Sequence, residues 1–112
     1  MSVNWGRSAV EAQDPDAPRA HIAKLAASGT LGGIVLSGAG PADSAYGAAW
    51  KDAHLPHADD EPTSLLDDRA VTACLAAAEG TETFRAVKIQ APADASVEER
   101  LALIGRLARL LR

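Results

Sequence analysis

The sequence predicts an α/β protein built from three consecutive βα units with parallel strands. Two observations predict it. Short apolar runs alternate with amphipathic helical stretches in the order β-α-β-α-β-α. That alternation implies parallel strands joined by right-handed crossovers. The connections are also asymmetric. Helix-to-strand links are short (Gly29 to Gly32, Gly80 to Thr83), and strand-to-helix links are long (Gly6 to Pro15, Ser37 to Thr63, Gln90 to Ala95).

The chain is read as one domain, residues 1–112. The first strand is expected over 2–5, where Val3 and Trp5 precede Gly6. Starting directly after Met1 with no leader, it suggests a chain that begins inside a larger fold. Asp14-Pro15-Asp16 opens a helix over 16–28, with Ile22, Leu25 and Ala26 at helical spacing and Gly29 as its stop. Ile34-Val35-Leu36, introduced by two glycines, reads as a buried strand over 33–37. A long loop over 37–63 follows. The next helix, 67–79, has Val71, Cys74, Leu75 and Ala78 on one face, with Asp67 or Ser64 as its cap. The third strand spans 84–89. Ser96 and Glu99 form a capping box for the last helix, 97–111. Leu101, Ile104, Ala108 and Leu111 should be its core stripe, widened by Leu103, Leu107 and Leu110. Three strands cannot close a barrel that typically needs about 250 residues. The chain is therefore a small open sheet, a piece of a larger barrel, or a subunit completed by association.

Composition narrows the function classes. The chain is 47% hydrophobic and 23% charged, with a net charge of −4, which suits a soluble protein. Arg106, Arg109 and Arg112 share one face of the last helix, where cations are favoured, but no basic stripe for nucleic acid is visible. No run approaches the roughly 18 apolar residues of a membrane span. Ser2 to Arg7 lacks the apolar run of a signal peptide, so a cytoplasmic protein is expected. Cys74, the single cysteine, reads as a small buried side chain.

In parallel α/β folds ligands bind at the carboxyl ends of the strands, where the long links lie. The 37–63 loop holds Tyr46, Trp50, Asp52, His54 and His57 and is the first place to look. Strand parity puts Val87 and Ile89 toward the helices and Lys88 on the opposite face, where a buried lysine needs a partner. Asn4 and Arg7, at the end of the first strand, offer donors for hydroxyl, carboxylate or phosphate groups. Asp52, His54 and His57 resemble a metal cluster, but Pro56 interrupts a helix and no further ligand has a recognisable spacing. A divalent metal is thus unsupported by spacing, and any cofactor is unknown. Ser37-Gly38-Ala39-Gly40 follows a strand but lacks the spacing of a phosphate loop.

Three stretches carry a resemblance: Val3-Asn4-Trp5-Gly6-Arg7-Ser8, then Gly33 to Ala39 with Tyr46-Gly47-Ala48-Ala49-Trp50-Lys51-Asp52-Ala53-His54, then Arg85-Ala86-Val87-Lys88-Ile89. They resemble the C-terminal third of an uncharacterised bacterial family, a domain of unknown function related to the xylose-isomerase-like TIM barrels of the sugar isomerase and epimerase superfamily. The resemblance implies that these are the last three βα units of a barrel. It implies a sugar or sugar phosphate at the strand ends. Asn4, Trp5, Arg7, Ser37, Trp50 and Asp52 would bind it, and His54 and Lys88 would be catalytic. Sugar epimerases of that superfamily place an acidic metal ligand at the end of the last strand, where this chain has Lys88 and Gln90. Two alternatives stand beside an enzyme: a non-catalytic split or truncated barrel segment that needs a partner or self-association, and a small phosphate- or nucleotide-binding module on the Ser37–Gly40 loop.

Overall fold

A computed structural model describes residues 1–112. The elements are β1 (Ser2–Asn4), α1 (Trp5–Ala12), α2 (Ala17–Ala27), β2 (Gly33–Leu36), α3 (Asp68–Ala77), β3 (Phe84–Val87) and α4 (Val97–Leu110). The protein is α/β, with a parallel sheet in the order β1-β2-β3 and helices between the strands. No helix is long and apolar enough to cross a membrane.

The register explains the two faces of the sheet. Val3, Ile34 and Arg85 stand side by side, and Leu36 stands beside Val87. Side chains alternate along a strand, so these residues share one face. Val3, Ile34 and Leu36 on that face are buried in one core with Trp5 and Ala9 of α1, Ile22 of α2, Val71 and Cys74 of α3, and Leu107 of α4. All four helices therefore lie on the same side. Asn4, Val35 and Ala86 are in register on the opposite face, and no helix packs there. Phe84 folds over Gly33 at the base of that face and stays 56% exposed.

α1 is a helix where the sequence reading placed the end of a strand and a link. Asn4 caps it, its side chain accepting from the Arg7 amide at 3.1 Å. Trp5 and Ala9, four apart, bury the inner face, and Gln13 ends the helix in the left-handed region. Gly6 reads as a breaker in sequence. In the fold it is the close approach: a Cβ there would lie 2.6 Å from the Ser37 carbonyl oxygen.

α4 departs from its expected stripe. Its capping box forms, with Ser96 and Glu99 satisfying each other's amides. Leu107 is its one buried residue, flanked by half-buried Leu103, Leu110 and Leu111. Leu101 and Ile104, expected in the core, are exposed, as is Ala108. The helix packs mainly on β3 and α3. Its wide apolar surface thus exceeds what the chain offers to cover it.

Candidate functional site

β2 is the central strand, so whatever follows it is held from both sides. Ser37, Gly38, Ala39 and Gly40 are all buried. The long loop doubles back over them: Gly38 N–H donates to the Leu55 carbonyl at 2.8 Å, and Leu55 N–H returns to Gly38 at 3.0 Å. Gly40 accepts from the Trp50 amide at 2.8 Å, and a Cβ on it would run into the Thr63 carbonyl. A segment enclosed this way cannot receive a phosphate from solvent. The Ser37–Gly40 loop is a structural seat for the rest of the loop.

The seat positions His54. Ser37 Oγ and His54 Nδ1 are 2.7 Å apart. Asp52 Oδ1 lies 3.7 Å from the same nitrogen. The His54 carbonyl accepts from the Gln90 amide at 2.8 Å, at the end of the third strand. The ring and the following amide are tied to adjacent residues of the seat, Ser37 and Gly38, and the carbonyl to Gln90. This over-determination maintains an uncommon backbone: His54 and Trp50 have φ of 54° and 55°, in the left-handed region that non-glycine residues seldom occupy. Ser37 and Asp52 thus both meet the ring at Nδ1. Nε2 has no protein partner, and the side chain is 25% exposed. The arrangement is an oriented imidazole with one nitrogen unpaired. It is not a Ser-His-Asp triad, because serine and aspartate meet the same nitrogen.

A cleft of about 440 Å³ lies between the long loop and the link after β3, and Gln90, whose amide bonds the His54 carbonyl, lines it. Its polar lining is Tyr46, Asp60, Glu61 and Gln90. Burial pushes the Tyr46 phenol above its usual range, and the Glu61 and Asp60 carboxylates add to the effect. The phenol is therefore a hydrogen-bond donor at neutral pH. Asp60 is fixed from the other side by Arg106 of α4, whose Nε donates at 2.7 Å. Sequence reasoning missed Gln90, Asp60, Glu61 and Arg106. The only signal for Arg106 was its place among three arginines read as a solvated face.

The other expected site residues are scattered. Trp5 is enclosed in the core and cannot touch a ligand, and its indole N–H has no partner. Ser37 is buried, so it positions His54 and does not bind substrate itself. Asn4 has its side-chain oxygen engaged as the α1 cap. Arg7 is exposed and paired with Glu11 at 3.7 Å, on a separate cleft of about 110 Å³ at the β1 edge that His21 also lines. Lys88 is exposed, not buried. Its amide donates to the Leu36 carbonyl at 2.9 Å, which places it one strand across from Ser37 on the helix-free face. Asp52 is exposed and Trp50 half-buried.

His57 leaves the suggested metal set. It is buried, with Nε2 on Asp68 Oδ1 at 2.7 Å and Nδ1 accepting from the Asp59 amide at 2.9 Å. Both nitrogens are used, and the residue anchors the loop to the start of α3. No group of three or more His, Cys, Asp or Glu side chains is arranged to hold a metal ion.

Comparison with known proteins adds the family. A family model described as a domain of unknown function, DUF4862, matches residues 1–103. The chain belongs to the DUF4862 family. An uncharacterized protein of Salmonella typhimurium is 33% identical over 106 residues, which are 93% of this chain and 34% of that protein. The chain thus spans about a third of the length of the curated relative it matches. No solved structure matches. Within DUF4862, the buried Ser37–Gly40 seat, the constrained His54 and the cleft lined by Gln90 lie inside the matched stretch.

Proposed function

We propose that the chain carries part of a binding site for a neutral sugar or similar polyol, at the carboxyl ends of its strands, with His54 as the proton-transfer group. The observation that carries this reading is the 2.7 Å Ser37–His54 contact, which orients the imidazole of a residue whose carbonyl is bonded by the amide of Gln90, a lining residue of the polar cleft. Carboxylates, an amide and a phenol accept and donate hydrogen bonds to hydroxyl groups. The carboxylates also repel phosphate, so among sugars the unphosphorylated ones fit better. The parallel strands in sequential order, with helices on one face only, suit a section of barrel wall. That supports the resemblance to the xylose-isomerase-like barrels. On this reading the activity belongs to a larger unit, of which these are the last three βα units.

In the reaction class that the site suits, His54 Nε2 takes a proton from the carbon next to a sugar carbonyl. The C–H electron pair forms an enediolate, the same proton is returned to the neighbouring carbon on the same face, and the hydroxyl proton on the first carbon passes to the former carbonyl oxygen, so that aldose and ketose interconvert. No oxidant is required. Lys88, on the helix-free face, supplies positive charge toward the enediolate oxygen. The test is NMR titration of the full chain with neutral aldoses and ketoses, following His54 and Tyr46. Expected are millimolar shifts at both, lost in His54→Gln, with Ser37→Ala weakening the His54 response. Absence of shifts with every neutral sugar would remove the reading.

A further inference from the structure

Two neighbouring clefts, of about 440 and 260 Å³, share Tyr46, Asp60 and Pro92, so Asp60 stands where they join. Its carboxylate is held from α4. Arg106 Nε donates to Asp60 Oδ2 at 2.7 Å, across 46 positions of chain, and the guanidinium also lies 3.6 Å from the Asp59 carboxylate. Arg109, three residues on, returns to its own helix instead, its Nε donating to the Gly105 carbonyl at 3.1 Å. These two arginines share a helix face in sequence, yet only Arg106 bonds the long loop.

The backbone that presents Asp60 is fixed as well. The His57 carbonyl accepts from the Asp60 and Glu61 amides at 2.9 and 3.0 Å, and the buried His57 ring is bonded to Asp68. The facing wall is held separately: Arg100 Nη2 donates to the Pro92 and Ala93 carbonyls at 3.2 and 3.3 Å. Loss of Arg106 therefore changes the charge in the cleft without releasing that wall. Asp60 is 20% exposed in its side chain, and the pair leaves Oδ1 without a protein donor. A carboxylate paired in this way still accepts from a hydroxyl. It attracts an ammonium less than an unpaired one does, because the guanidinium offsets its field at short range.

We infer that Arg106 is a specificity-determining residue of this cleft: by holding and neutralising Asp60, it favours ligands that present a hydroxyl over counterparts that present an ammonium at the same place. The inference rests on the sugar reading of the site. The test is NMR titration of the full chain, following Tyr46, with neutral aldoses and their 2-amino counterparts in mildly acidic buffer, where the amine is protonated. Arg106→Gln should move the affinity ratio toward the amino sugar roughly 5-fold, the upper range for a partly exposed charge pair. Asp60→Asn should move it the opposite way, because Arg106 is then left unpaired at the cleft. The two together should restore the original ratio, and Arg106→Lys should retain it. Arg109→Gln makes the same charge change on the same helix and should leave the ratio as it was. A merely structural role would weaken both sugars alike and would shift the ratio in neither direction. Neutral sugars that still bind Arg106→Gln with an unchanged ratio, or a ratio that moves the same way in Arg106→Gln and Asp60→Asn, would overturn the inference and leave the sugar reading standing. No shift at Tyr46 with any sugar in the unaltered chain would remove both.

Discussion

α3 and α4 are both capped, amphipathic helices, yet the fold treats them differently. α3 is the shorter, at 10 residues against 14, and buries Val71 and Cys74, with Ala78 just beyond its end. α4 has the more complete cap and buries Leu107 alone. The difference is one of neighbours. α3 packs against both α2 and α4, whereas α4 packs mainly on α3 and β3. Local sequence quality sets whether a helix forms. Cover sets how much of its apolar surface contributes to stability.

The largest expected effect tests that asymmetry within α4. Leu107→Ala should cost about 3 kcal/mol, the usual range for a buried leucine. Leu101→Ala, one helix face away, should change stability by less than about 0.5 kcal/mol. Urea denaturation of the isolated chain measures both. Equal losses would mean that the exposed stripe is covered in solution.

A smaller effect distinguishes α3 by its thiol. Burial pushes the Cys74 thiol up to about 11. The folded state therefore holds a proton that the unfolded chain releases. Its contribution is complete below pH 9 and is lost as pH rises through about 11. Alkaline denaturation should show a loss of about 2 kcal/mol across that interval, absent in Cys74→Ala. An identical slope in the variant would place the ionisation elsewhere.

The smallest expected effect is where the two helices should agree. Ser96→Ala and Asp67→Ala each remove a side-chain acceptor from a first-turn amide, and each should cost about 1 kcal/mol despite the unequal burial of their helices. Thermal unfolding compares them. A negligible loss at Ser96 alone would mean that α4 frays independently of the core.

The same contrast shows what was legible in advance. The buried strand at Ile34–Leu36 and the capping box at Ser96 and Glu99 are local patterns, and the structure contains both. The helix at Trp5–Ala12 was not legible, because Gly6 reads as a breaker until the Ser37 carbonyl is seen against it. His54 was visible as a residue type in a long loop. Its bond to Ser37, 17 positions away, was not. His57, Asp52 and His54 looked equivalent in sequence, yet His57 is consumed by Asp68 and a backbone amide. Lys88 was expected inside a strand over 84–89, but β3 ends at Val87, and Lys88 just beyond it stands in solvent.

By itself the sequence determined the alternation of strands and helices, their parallel sense and the rim where the long links gather, because periodicity, caps and link lengths are short-range properties. The tertiary structure alone decided which polar side chains meet and which apolar stripes stay bare. Those outcomes depend on contacts between distant segments, whose spacing along the chain carries no record of their distance in space.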